Sequence, residues 1–218
     1  MLLVTGATGT VGRPLIDLLI SEGAEVRAVT RNPRTASLPV GVEVVEGDPS
    51  RPDTITSSLR GVTTLFLNPA AVGDAAGDLL TLAREQGVKR VVQLSALAVV
   101  DDLHREHTIA THHKVLEEAV TSCDVEWVIL RPGMFAANTI TQWAGQIRAG
   151  NVVRSPYAAS TDAPIHERDL AEVAVRALLT DGLVGQSLSL TGPQSLTRQE
   201  MVAIIGQVLN RPLSYQEI

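Results

Sequence analysis

Eight residues near the amino terminus, Thr5-Gly6-Ala7-Thr8-Gly9-Thr10-Val11-Gly12, carry the strongest chemical signal in this chain. An apolar run, Leu2-Leu3-Val4, precedes them, and after them Val11, Leu15, Leu18 and Leu19 share one helical face. Glycines at this spacing between a strand and a helix suit an anionic ligand. Gly6 permits a tight turn, Gly9 lets the main chain approach a pyrophosphate with no Cβ in the way, and Gly12 lets the helix pack close to the strand. The helix N-terminus adds free N–H groups and the positive end of a dipole. Gly6, Thr8, Gly9, Thr10, Val11 and Gly12 are therefore the candidate dinucleotide cradle. No Walker lysine follows, which excludes a nucleotide-hydrolysing P-loop.

The end of the second strand decides which dinucleotide. An NAD site usually places Asp or Glu there to hold the ribose 2′-OH. Here Thr30-Arg31-Asn32-Pro33-Arg34 occupies the position, and between Val26 and Val42 there are three arginines and no acid. A guanidinium grips a 2′-phosphate with charge-assisted bonds worth ~1.5–3 kcal/mol each. NADPH is thus expected over NADH, with Arg31 the main contact, Arg34 a second, and Arg27 turned out of the sheet. A solvated basic loop is the competing reading.

Further candidates follow the later strands. Asp48 either accepts from the adenine amino group or caps the short helix after it. Asn68 and Pro69 are expected over the nicotinamide half. Ser95, closing the fifth strand, either touches nicotinamide or substrate or caps the strand end. Met134, Phe135 and Asn138 line the substrate side or pack as plain core.

The elements that must hold these residues alternate between short Val/Leu/Ile runs and longer helical patterns. Strands are expected at Leu2–Thr5, Glu25–Val29, Val42–Val45, Thr63–Leu67, Val88–Ser95 and Val125–Leu130. Helices are expected from Val11 to Gly23, Asp74 to Gln86 and Glu106 to Val120. Such apolar strands, each followed by a helix, describe a buried parallel sheet: a Rossmann-like, doubly wound α/β fold with its ligand at the carboxyl ends of the strands. Residues 1–133 read as the core. Residues 134–218 read as a small α/β substrate lobe intertwined with it in one structural domain, with Asn151 to Pro164 a loop.

Composition narrows the class. The chain has 218 residues, 44% hydrophobic and 19% charged, enough to bury a core. A net charge of -6 and 3% aromatic residues disfavour nucleic-acid partners. One cysteine, Cys123, excludes an internal disulfide. No apolar run approaches bilayer length, and Met1 leads straight into a strand, so the expectation is a cytoplasmic protein with no membrane partner. His104, His107, His112 and His113 cluster, but no His-Glu-x-x-His pattern exists, and no metal is expected.

Together these segments resemble the NmrA-like family of atypical short-chain dehydrogenase relatives. The resemblance rests on Thr5 to Gly12, Thr30-Arg31-Asn32-Pro33, Val91 to Ser95, His113-Lys114-Val115-Leu116-Glu117, Trp127 to Gly133, Ile165 to Ala174 and Leu190-Thr191-Gly192-Pro193. It covers nearly the whole chain. It implies an NAD(P)H-binding core, a small-molecule substrate, and the company of quinone and dye reductases, isoflavone-reductase-like enzymes and redox-sensing regulators. Relatives of this kind continue past the position of Ile218. The resemblance therefore implies a pocket that is incomplete or finished by a partner chain, and a homodimer is compatible with it.

The wider dehydrogenase pattern places Tyr four residues before Lys on the helix after strand five. Lys114 fits the lysine, but Ala110 stands where the tyrosine belongs. Reducing an isolated ketone needs a placed proton donor, whereas a quinone, enone or cationic dye disperses or cancels the added charge. The expected activity is hydride transfer from NADPH to a small conjugated carbonyl, quinone or similar acceptor. Lys114 holds the nicotinamide ribose or donates a proton, unless it is a surface partner of Glu118, and His113 is a further donor candidate. The alternative is a non-catalytic NAD(P)(H)-binding redox sensor or regulatory protein.

Overall fold

Runs of two to seven residues make the strands, and, apart from one short turn, stretches of ten or more residues make the helices between them. The structure is a computed structural model and describes residues 1–100 and 108–218. In chain order the elements are β1 (Leu2–Val4), α1 (Gly12–Ser21), β2 (Val26–Thr30), β3 (Glu43–Glu46), β4 (Thr64–Leu67), the one-turn α2 (Pro69–Val72) and α3 (Ala76–Glu85). Then come β5 (Arg90–Leu94), α4 (Thr108–Thr121), β6 (Glu126–Pro132), α5 (Asn138–Ala149), β7 (Val152–Ser155) and β8 (Thr161–Asp162). The chain continues with α6 (Glu167–Leu179), β9 (Gln186–Leu190), β10 (Leu196–Thr197), α7 (Arg198–Val208) and β11 (Ser214–Glu217).

Two units divide these elements. The first, Met1–Pro132 with Arg168–Leu190, holds a seven-stranded sheet of order β3-β2-β1-β4-β5-β6-β9. Every pairing in it is parallel. Strand order reverses between β1 and β4, and the carboxyl ends of those strands frame the crevice where α/β sheets take ligands. Leu3, Leu65, Leu67 and Val91 face one way and join Leu79, Leu80, Leu116 and Val120 in one core cluster. Their neighbours of opposite parity, Val4, Ala28, Phe66, Val92 and Val128, are equally buried, so both faces of the sheet are covered.

Residues 168–190, assigned from the sequence to the small lobe, complete this sheet instead. β9 pairs with β6 (Val128↔Gln186 to Pro132↔Leu190), and α6 buries Leu170, Ala171, Ala174 and Ala177. Arg90 fastens the end of α6 by donating to the carbonyl of Thr180 (2.8 Å) and pairing with Asp181 (2.5 Å) and Glu126 (2.6 Å). The second unit is Gly133–Glu167 with Thr191–Ile218. Its core is Trp143, Ile147, Val153, Met201 and Val202. The segment read as a loop, 151–164, contains β7, which pairs parallel with β11, and β8, which pairs antiparallel with β10. Both partners lie far along the chain, beyond the reach of local periodicity.

Candidate functional site

The glycine loop is shaped by contacts that only glycine allows. Gly12 begins α1, where a Cβ would stand 2.2 Å from the Gly6 carbonyl oxygen and 2.8 Å from Ala7 Cα. Gly6 has φ +66°, and a Cβ there would meet Asn68 Nδ2 at 2.5 Å. Gly9 differs, because its nearest neighbour on that side is the Gly6 oxygen at 3.2 Å. Thr8, Gly9 and Thr10 are exposed, and α1 starts with neither a side-chain cap nor an acidic residue in its first turn. An uncapped helix start beneath an exposed glycine turn is a receptor for a diphosphate.

Thr5 joins the two strands that flank the crevice. Its buried hydroxyl donates to the Phe66 carbonyl (2.9 Å) and accepts from the Asn68 N–H (2.8 Å). Asn68 then caps α2, its Oδ1 accepting from the Ala70 N–H at 3.0 Å, and Pro69 is buried behind it. Asn68 and Pro69 thus stand at the carboxyl end of β4, next to the glycine loop.

A cleft of about 560 Å³ opens beside this loop, lined by Gly6, Ala7, Thr8, Arg13, Val29, Thr30, Arg31, Asn32, Asp48 and Ala70 among others. Its place beside the glycine loop and the exposed Arg31 directly after β2 make it the candidate cleft for the adenosine and phosphate half of a dinucleotide. Arg34 is exposed outside this lining, and Arg27 is engaged elsewhere, with Glu43 at 2.9 Å and the carbonyls of Ser58 and Arg60. Asp48 lines the cleft while its carboxylate accepts from the Ser50 hydroxyl (2.7 Å) and N–H (3.1 Å). These bonds, with the charges of Arg51 and Arg31, hold its carboxyl below the usual range.

A second group lies under α4, at the carboxyl ends of β5 and β6. Ser95 is buried, and its hydroxyl donates to Glu117 Oε1 at 2.5 Å. Arg131 donates to both oxygens of the same carboxylate, from Nε at 2.9 Å and Nη2 at 2.5 Å. That bidentate bond raises the Arg131 guanidinium, against the cost of its burial. Gln93 shares the Ser95 side of β5 by alternation. It is fully buried, and neither its Nε2 nor its Oε1 finds a partner among the described residues. His113, one turn before Glu117, has a buried Nδ1 with no partner among those residues. Burial lowers the His113 ring, His112 adds to the effect, and Glu117 opposes it.

Lys114, the next residue, is exposed, and Ala110 at the tyrosine position is a buried methyl. His104 and His107 lie outside the described residues. No group of three or more His, Cys, Asp or Glu converges among the described ones. Met134, Phe135 and Asn138 belong to the second unit. Met134 packs on its core, Phe135 bridges to Ile165, and Asn138 starts α5. Sequence reading missed Glu117 as the carboxylate that binds both Ser95 and Arg131, and it missed the buried Gln93 on the Ser95 side of β5. It also missed Arg13, whose only signal was a charge directly behind the last glycine.

The family model described as NAD(P)H-binding matches residues 6–181. The chain belongs to the NAD(P)H-binding family. Within that setting it is 36% identical, over all of its length and 77% of the relative's, to a (4-alkanoyl-5-oxo-2,5-dihydrofuran-3-yl)methyl phosphate reductase from Streptomyces griseus subsp. griseus. It is 30% identical, over the same shares, to an NAD(P)H azoreductase from Xenophilus azovorans. Its fold is shared with the triphenylmethane reductase of Citrobacter sp. complexed with NADP(H), at a TM-score of 0.86 and 22% identity, over 100% of this chain and 79% of that one. The chain is an NAD(P)H-dependent oxidoreductase. No helix among the described residues is long and apolar enough to cross a membrane.

Proposed function

We propose that this oxidoreductase uses NADPH to reduce a small conjugated carbonyl, quinone or similar acceptor. The observation that carries the reading is the pairing of an arginine in the adenosine cleft with a missing acid on α4. Arg31 stands at the end of β2, where an NADH site would place a carboxylate. The residue four before Lys114 is a buried alanine, so nothing at the tyrosine position donates a proton. Bound in the cleft, NADPH supplies a hydride. The main chain of Gly6 to Gly12 holds its diphosphate, Arg31 neutralises its 2′-phosphate, and the Asn68-Pro69 turn and Ser95 flank its nicotinamide half.

A conjugated acceptor spreads the charge it receives, so the protein needs to supply one proton late and from a modest acid. His113 is the side chain we assign to this. Its Nδ1 is buried on α4 and has no partner among the described residues, which leaves that nitrogen free to hold and pass on a proton. Lys114 is exposed, which favours His113 over it as the proton source. Met134, Phe135 and Asn138 remain the proposed substrate-side residues, with core packing the competing reading for Met134. The names of the relatives support the acceptor class: one describes a ring alkene flanked by two carbonyl groups, the other an azo bond. Both are conjugated electrophiles.

The test is NADPH consumption against a panel of quinones, enones, azo dyes and simple ketones. Turnover of conjugated acceptors with none for simple ketones is expected. Equal rates with isolated ketones, or no turnover by protein that binds NADPH, would overturn the reading.

A further inference from the structure

Arg13 follows the last glycine of the loop, on the first turn of α1. Its guanidinium donates to three main-chain carbonyls on two separate segments. Nε reaches Thr8 at 3.2 Å, Nη1 reaches Ser37 at 3.0 Å and Nη2 reaches Ala36 at 2.8 Å. Thr8 belongs to the glycine loop. Ala36 and Ser37 close the segment that opens with Thr30 and Arg31 at the cleft wall. Apart from the buried Ala36, the segment is otherwise held by long local bonds, among them the Asn32 N–H to the Thr30 hydroxyl (3.3 Å) and the Thr35 hydroxyl to the Asn32 carbonyl (3.4 Å). Its own main-chain bonds, Thr35 to Asn32 and Ala36 to Pro33, are both 3.3 Å, and Ser37 sits at φ +48°, an uncommon conformation for serine.

We propose that Arg13 is a specificity-determining residue that acts by position. It locks the segment carrying Arg31 to the loop that takes the diphosphate, and so sets the preference for NADPH over NADH. The inference rests on the reading that Arg31 meets the 2′-phosphate. In a dinucleotide the diphosphate and the 2′-phosphate hang from one ribose, so their separation is nearly fixed. A protein that grips both holds its two anion sites at a matching separation, and pre-ordering that separation saves the cost of ordering it on binding. NADH carries only the first of the two anions and gains far less from the lock. Lysine keeps the charge of Arg13 but offers one ammonium on a flexible stem, which cannot span three carbonyls in the plane of a fork.

The experiment is calorimetric binding of NADPH and NADH to the wild-type chain, Arg13→Lys, Arg13→Ala and Arg31→Ala, with amide exchange followed over residues 31–37. Retained NADH binding certifies that each variant is folded. Both Arg13 variants are expected to lose about tenfold of the preference for NADPH, with faster exchange over 31–37. Preference kept in Arg13→Lys and lost in Arg13→Ala would show that charge alone matters and would overturn the lock. So would preference and exchange unchanged in both. If Arg31→Ala keeps the wild-type preference, or the wild type has none, the Arg31 reading itself fails. In the first case, the lock has no Arg31 contact to position and is overturned with it, whatever the Arg13 variants do. In the second, the lock falls with the reading.

Discussion

The cleft beside the glycine loop and the polar cluster under α4 solve different problems with different materials. The cleft runs along the glycine loop, and its two arginines, Arg13 and Arg31, are exposed. Its proposed ligand-holding parts lie within one short stretch, Thr5 to Gly12, plus Arg31 directly after β2. The cluster is closed. It draws Ser95 from the end of β5, Glu117 from α4 and Arg131 from β6, and it buries a carboxylate at 7% side-chain exposure against a guanidinium at 20%. Recognition of a phosphate chain needs donors that are rigid and cheap to desolvate, which backbone N–H groups are. A fixed arrangement at the strand ends needs charges that hold one another in place, which makes each of them indispensable to the others.

That contrast is sharpest in a variant that strips the cluster. Glu117→Ala leaves Arg131 charged and mostly covered with no carboxylate, and Ser95 with no acceptor. The expected loss is about 3–5 kcal/mol, read from denaturant unfolding, with Glu117→Gln losing less. A loss below about 1 kcal/mol would place the pair with ordinary surface bridges. Gly12→Ala is the matching test of the cleft. The new Cβ meets only backbone atoms, at 2.2 and 2.8 Å. A cost of about 1–3 kcal/mol in stability and a roughly hundredfold loss of cofactor affinity are expected, measured by calorimetry. Gly9→Ala brings its Cβ only to 3.2 Å from the Gly6 oxygen, so it should cost less stability than Gly12→Ala while still weakening cofactor binding.

Arg31→Ala should weaken NADPH about tenfold and leave NADH nearly untouched. Equal weakening of both would remove Arg31 from the 2′-phosphate. A smaller effect comes from His113. Its folded-state affinity for protons is lowered, so the ring's contribution to stability is complete above the ordinary histidine value near 6.5. It is lost as pH falls from there through the lower folded value. The ring is only half-buried, so solvent screens the effect to under ~1 kcal/mol. His113→Asn should flatten the fall in stability over that window. Smallest of all, Lys114→Ala should change turnover by less than about threefold, because the side chain is exposed beside the inward-facing His113.

The same contrast explains what could be read from the sequence. The glycine loop was legible because its turn, its close approaches and its helix start are neighbours in the chain. The core strands were legible as unbroken apolar runs, although α3 begins at Ala76 after a separate turn at Pro69–Val72. β9 was misassigned to the lobe because its sequence, Gln-Ser-Leu-Ser-Leu, alternates like any half-exposed strand. Only pairing with β6 reveals where it belongs. β7 was missed for the same reason, since β11 lies about sixty residues away. Ser95 was visible as a strand end, but Glu117 and Arg131 looked like an ordinary helix acid and an ordinary arginine before Pro132. Nothing local says that one carboxylate receives both.

The bond from Ser95 to Glu117 has a consequence for what can dock at that strand end. A hydroxyl whose hydrogen is already given to a carboxylate turns only its lone pairs outward. Such an oxygen welcomes a primary amide or another N–H and repels a bare carbonyl. If the nicotinamide half lies against Ser95 as proposed, that oxygen would suit the N–H of the ring carboxamide, and the oxygen being reduced would take its hydrogen from another group.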